Sequence, residues 1–151
     1  MTWKSVLSPD GTLSGLSLGM HVSEVRDRLS PIESLQRQFD PDSTEFNSLT
    51  FRRIGLEVLF DGQWNVIRIS CFPASSLSLL DGTSIFALGG SKLEKALASM
   101  GFTMLPRDEG FFATSPEIFG GRFLKGELIV FTISVVNLKQ IVLDALSRSR
   151  S

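Results

Sequence analysis

Two stretches of the chain align without a gap: Asp61-Gly62-Gln63-Trp64-Asn65-Val66-Ile67-Arg68-Ile69-Ser70 and Lys125-Gly126-Glu127-Leu128-Ile129-Val130-Phe131-Thr132-Ile133-Ser134. Gly, Val, Ile and Ser coincide at the same offsets, and Gln/Glu and Ile/Phe are close substitutions. Each stretch reads as the turn and second strand of a β-hairpin. An Asp-Gly or Lys-Gly pair between alternating apolar runs suits a turn whose two central residues take positive φ. Upstream of each lies a leucine-glycine element leading into a short amphipathic helix: Leu18-Gly19-Met20 before Ser23 to Leu29, and Leu88-Gly89-Gly90 before Ser91 to Leu97. Ser23 and Ser91 sit where a helix N-cap accepts a backbone N–H, and Val25/Leu29 and Leu93/Leu97 are i, i+4 pairs on one helical face. The expectation is an α+β fold: one antiparallel sheet from two tandem helix-plus-β-hairpin repeats, about 12–72 and 84–136, with the helices on one face.

Outward from these stretches, Pro31 opens a possible second helix over Ile32 to Phe39, and the polar segment Asp40 to Glu45 reads as a loop. Strands are expected near Leu49–Arg53, Leu56–Phe60, Trp64–Phe72, Phe102–Leu105, Gly110–Thr114, Phe119–Leu124 and Leu128–Val136. Between the repeats, Pro73 to Thr83 reads as a linker. Leu138, Ile141, Val142, Ala145 and Leu146 form a stripe that predicts an amphipathic C-terminal helix within 137–148. Residues 1–151 are read as a single domain.

Composition narrows the function. With 151 residues, 42% of them hydrophobic and 21% charged, the chain can bury roughly 68 to 70% of its unfolded surface. No apolar run approaches the ~18 to 20 residues of a membrane span, and the amino terminus lacks a basic-then-apolar leader, so a cytoplasmic protein without membrane contact is expected. One cysteine, Cys71, and one histidine, His21, leave no disulfide and no thiolate zinc cluster; neither metal nor cofactor is expected. A net charge of -1 gives nucleic acid no broad electrostatic reason to bind. A Cys71–His21 dyad would need the two brought within hydrogen-bond reach, whereas an inert buried cysteine and a helix-flanking histidine are the simpler reading. Asp108-Glu109-Gly110 reads as a turn, one that could also meet a basic partner.

Strand register decides which side chains share a surface. A two-residue Asp61-Gly62 turn sets Leu59 opposite Trp64 and Val58 opposite Asn65. Ile54, Leu56, Val58, Phe60, Ile67, Ile69 and Cys71 then face the core, and Phe51, Arg53, Glu57, Leu59, Trp64, Val66 and Arg68 face away. The same count around Lys125-Gly126 puts Ile129, Phe131, Ile133 and Val135 inside and Phe123, Leu128, Val130 and Thr132 outside. Aromatics and arginine mixed with aliphatics suit the centre of a protein-binding surface. The other reading is that the terminal helix or the opposite repeat covers this face.

The Leu18-Gly19-Met20 element leading into Ser23-Glu24-Val25, followed by strands and a second such unit, resembles tandem helix-plus-sheet proteins of the β-lactamase inhibitory protein type. It is also similar to the single unit of the outer-membrane assembly lipoprotein family, whose Gly-Met then Glu-Val pattern matches Gly19, Met20, Glu24 and Val25. The resemblance covers mainly Leu16 to Leu29 and the two hairpins; a lipid-attachment cysteine and disulfides are missing. It implies a sheet face that clasps another protein, as in bacterial immunity proteins that neutralise a cognate toxin. The expected function is therefore a non-enzymatic binding module of that type, with a protein partner and with Leu59, Trp64, Val66, Arg68, Glu57, Arg53, Phe123 and Leu128 as contacts. The alternatives are a small-ligand binder or enzyme with a pocket near His21 and Glu24, and a secretion chaperone.

Overall fold

The computed structural model describes residues 3–32, 36–39 (backbone), 47–88, 90–105, 110–115 and 118–135. Its elements in chain order are β1 (Val6–Leu7), α1 (Val22–Leu29), β2 (Gln36–Phe39), β3 (Asn47–Phe51), β4 (Leu56–Phe60), β5 (Val66–Cys71), a 3₁₀ turn (Pro73–Ser75), β6 (Ser78–Leu79), α2 (Gly90–Ser99), β7 (Thr103–Leu105), β8 (Phe111–Ser115), β9 (Phe119–Leu124) and β10 (Glu127–Ser134). The fold is α+β. Eight strands form one antiparallel sheet in the order β2-β3-β4-β5-β10-β9-β8-β7, and β1 and β6 pair in parallel beside it. Gln36 to Phe39 is strand where a helix was expected; the expected loop over 40–45 and C-terminal helix within 137–148 lie outside the described residues.

The start of α1 and the end of α2 each have a local reason. At α1 the N-cap is His21, not Ser23: the His21 Nδ1 accepts from the Ser23 backbone N–H at 3.3 Å. An imidazole acceptor thereby satisfies one of the orphan donors of the first turn. α2 ends as the glycine predicts. Gly101 takes φ +96°, its N–H donates to Ala98, and Phe102 N–H donates to Leu97, the paired bonds of a Schellman motif. Val22, Val25 and Leu29 of α1 and Leu93 and Leu97 of α2 are buried. They join Leu49, Phe51, Leu56, Val58, Phe60, Ile69, Cys71, Phe119, Phe131 and Ile133 of one sheet face in a single core.

The two central strands meet through Ile69 opposite Ile133, with Cys71 opposite Phe131 and Ser70 opposite Thr132. From this seam each half runs outward as a four-stranded meander. The segments ahead of the helices also correspond. Thr12 N–H donates to the Asp10 carboxylate at 3.0 Å and Thr83 N–H to Asp81 at 2.9 Å; the intervening Gly11 and Gly82 take φ +90° and +89°. Ser14 N–H donates to Val6 and Ile85 N–H to Leu77. The expected linker therefore contains structure, namely the 3₁₀ turn and β6.

The hairpins correct the expected register. Around Asp61 the loop is longer than two residues: Asp61 Oδ1 accepts from Gln63 N–H at 2.9 Å and Asn65 N–H at 3.0 Å, and Trp64 takes φ +64°. A type I turn followed by a left-handed residue is the usual longer alternative to a two-residue turn. Val58 consequently pairs with Ile69 rather than Asn65, a slip of four residues. An even slip keeps side chains on their faces, so Leu56, Val58, Ile69 and Cys71 are inside as expected. A bulge then intervenes: Leu59 pairs with Arg68 but Phe60 with Val66, leaving Ile67 extra. Beyond a bulge the faces exchange, and Val66 is in the core at 2% exposure. Phe51 is also in the core, beside Leu56, because Arg52 to Gly55 form the turn in which Gly55 takes φ +69°.

Lys125-Gly126 is the expected two-residue turn, with φ of +53° and +81° between paired Leu124 and Glu127. A second register shift between Leu128 and Val130 makes Ile129 the extra residue and turns Leu128 inward, 3% exposed. The core of this half is aromatic: Phe102, Phe119, Phe131, Phe112 and Phe123 follow one another with ring centroids 4.5 to 5.9 Å apart.

Candidate functional site

The sheet face away from the core is the surface on which a binding function was expected. In the first half the strand pairing brings Ser48, Thr50, Glu57, Leu59, Arg68 and Ser70 together there. Leu59 lies directly opposite Arg68, and Arg68 Nη2 approaches Glu57 Oε1 at 3.6 Å. Both side chains are about a third exposed or less, at 35% and 27%. Arg68 Nε and Thr50 Oγ1 are shielded from solvent and have no hydrogen-bond partner among the described residues. Among the expected contact residues, then, Glu57, Leu59 and Arg68 share one surface.

The others do not join them. Val66 and Leu128 are core residues, turned inward by the two bulges, and a partner cannot touch them on the folded chain. Trp64 sits in the Asp61 loop, half-buried, with its ring 5.7 Å from that of Phe60. Phe123 is half-buried against the core beside Phe112. Arg53 is exposed, but in the turn between β3 and β4.

The more open part of the face belongs to the second half; Val130 and Thr132 were expected there, whereas Phe111, Arg122 and Leu124 were missed from sequence. Phe111 and Leu124 are 50% and 54% exposed. Phe111 lies directly opposite Arg122 across β8 and β9, and the Arg122 guanidinium carbon stands 5.5 Å from the Phe111 ring centre. Arg122 in turn lies opposite Val130 on β10. Beside this row the sheet carries no side chain at Gly120, which pairs with Ala113 on one side and Thr132 on the other. A groove of about 460 Å³ results, bounded by Phe111, Arg122, Val130 and Thr132. A second concavity of about 650 Å³ adjoins it through Phe111, Phe112 and Arg122, and reaches Gly90, Ser91 and Glu94 at the start of α2 and Lys125 at the hairpin turn. Neither involves His21 or Glu24. The sequence signal was Gly120-Gly121 inside a strand, a pattern that marks a bulge or a place where something approaches closely. Gly121 has the structural half of that role: a Cβ there would lie 2.3 Å from the Phe112 ring, which fills its place on the core side.

Chemically, this site supplies contact and charge. Burial pushes the Cys71 thiol up to about 12, with its side chain on the core face between Leu56 and Phe131. His21 is exposed and its Nδ1 is engaged with Ser23, 3.0 Å from the Ser23 hydroxyl. The two residues therefore occupy separate environments and form no dyad. Among the described residues no group of three His, Cys, Asp or Glu side chains could hold a metal ion, and no helix is long and apolar enough to cross a membrane. Asp108 and Glu109 lie outside the described residues.

Against known protein families, curated proteins and solved structures, the chain has no match.

Proposed function

We propose that this chain is a non-enzymatic protein-binding module built from two repeats of a strand, a helix and a four-stranded meander, and that it docks through the sheet face opposite the helices. The repeat reading is supported by the Asp10-Gly11-Thr12 and Asp81-Gly82-Thr83 turns and by the seam, where the aligned residues Ile69 and Ile133 are direct partners. A local two-fold axis between those two isoleucines would relate the halves. The binding reading rests on one observation above all: Phe111 and Leu124, two large apolar side chains, stand half-exposed beside a stacked arginine on one part of a sheet. Aromatic and arginine anchors in such a setting carry most of the energy of many interfaces. In its most concrete form the module is an immunity-type inhibitor that neutralises a cognate bacterial toxin in the cytoplasm.

The test is affinity capture of the tagged chain from its host with the products of neighbouring genes included, followed by mass spectrometry and by an inhibition assay on any stoichiometric partner. The Phe111→Ala/Leu124→Ala double variant should keep its circular dichroism spectrum and lose at least ~2 kcal/mol of binding to that partner. A chain that captures nothing while binding a small molecule in the Arg122 groove would replace this reading with a ligand-binding one.

A further inference from the structure

The groove beside Arg122 has a chemistry of its own, and the two halves of the sheet show where it comes from. Next to the Ile69–Ile133 seam, the first half places Leu59 opposite Arg68 on the face away from the core. At the corresponding step of the second half the pair is Gly120 and Thr132. A leucine and an arginine cover the sheet on one side of the seam; a glycine and a threonine leave it open on the other. Within the groove the described lining residues carry one charge, that of Arg122. Arg122 is exposed, lies over the Phe111 ring, and has no carboxylate paired with it among the described residues. Lys125 and Gly90, the first residue of α2, line the adjoining concavity, where Glu94 is the only acid among the described lining residues; Glu127, opposite Leu124, stands beyond it at the hairpin end. The positive end of the helix adds to the two cations.

Resting on the protein-binding reading above, the geometry points to a partner segment of defined chemistry: an extended stretch in which a carboxylate stands next to an aliphatic or aromatic side chain. The apolar side chain occupies the space over Gly120 between Phe111, Val130 and Thr132. The carboxylate meets the guanidinium of Arg122, which is held in place by the Phe111 ring. Arg122 suits this role because its planar fork can pair with a carboxylate through two hydrogen bonds while a face stays on the ring. Any partner segment with a lysine or arginine at that position would meet Arg122 and Lys125 head-on, so the site discriminates by repulsion as well as attraction.

A random linear peptide library displayed on phage and selected against the full chain tests this directly, whatever the natural partner is. Enriched peptides should carry Asp or Glu adjacent to Leu, Ile, Val or Phe, and should perturb the amide signals of Gly120, Gly121 and Arg122 in the ¹⁵N–¹H spectrum. Their affinity should fall at least tenfold in Arg122→Glu and in Gly120→Leu, and should weaken as salt rises. A Cβ on Gly120 would meet the Phe112 carbonyl and Thr132 Oγ1 at 3.3 Å, so the exposed Arg122→Glu variant carries the test if Gly120→Leu folds poorly. Selection of basic peptides, no selection at all, or binding indifferent to Arg122→Glu would overturn the inference. If a captured protein partner is lost with Phe111→Ala/Leu124→Ala yet is unmoved by Arg122→Glu, the docking face stands and the carboxylate inference falls.

Discussion

His21 shows how a residue with catalytic potential is spent on local structure. Its ring accepts the Ser23 N–H at the start of α1, so His21→Ala should cost about 1 kcal/mol in urea unfolding, while His21→Ser, which restores a short acceptor, should recover most of it. Cys71 is the converse case, a potential nucleophile disabled by burial. With its pKa pushed up to about 12, it should resist a disulfide reagent in the native protein and react only after denaturation. Asp10 and Asp81 sit in matching turns, where the N–H of Thr12 or Thr83, aided by that threonine's hydroxyl, holds each carboxyl below its ordinary value of 3.8. A carboxyl depressed in the folded state contributes stability above its unfolded pKa and loses it as pH falls through the folded value. The chain should therefore weaken below about pH 4, and Asp10→Asn/Asp81→Asn, which keeps an acceptor oxygen, should flatten the dependence of unfolding midpoint on pH in that window.

At the scale of the element, the bulges in β5 and β10 decide which side chains face outward and which join the core. Sequence alternation treats Val66 and Leu128 as equivalent to Leu59 and Val130, yet one extra residue in each strand turns Val66 and Leu128 inward. Leu128→Ala should accordingly cost roughly 2–5 kcal/mol of stability, the range for emptying a buried leucine site. Phe111→Ala, at a half-exposed position, should leave stability almost unchanged. The β3–β4 turn makes a similar distinction through packing. A Cβ on Gly55, already at φ +69°, would lie 2.3 Å from the backbone N of Ser75. Gly55→Ala should thus lower the unfolding midpoint strongly, since neither the backbone conformation nor the 3₁₀ turn against it can yield cheaply.

In the whole molecule, the seam between β5 and β10 makes two meanders share one core. Both tryptophans, Trp3 and Trp64, belong to the first half of the chain, whereas the aromatic cluster of Phe119 and Phe131 belongs to the second. If the halves unfold as one unit, Phe119→Ala should shift the tryptophan fluorescence transition as far as the circular dichroism transition. Separate midpoints for the two signals would mean that the halves unfold independently. The same seam divides the sheet face away from the core: the first-half side is covered by Leu59 and Arg68, and the second-half side is open at Gly120.

What the amino-acid sequence determined by itself was local. The glycine after α2, the Lys125-Gly126 turn, the apolar pairs Val25/Leu29 and Leu93/Leu97, and the alternation of Leu56, Val58, Ile69 and Cys71 follow from backbone sterics and from a period of two or 3.6, which neighbouring residues carry. Most strand positions and the α+β class were legible on that basis. Register was not, because an Asp-Gly pair is compatible with two loop lengths, and the choice depends on whether Trp64 gains more by packing on Phe60 than it loses at φ +64°. Nor were Phe111, Arg122 and Leu124 recognisable as a surface, since Phe111 meets the other two only through the pairing of β8 with β9, and the groove beside them needs an absent side chain at Gly120. Only the tertiary structure decided these features, because contacts between residues distant in sequence set the sign of each local trade.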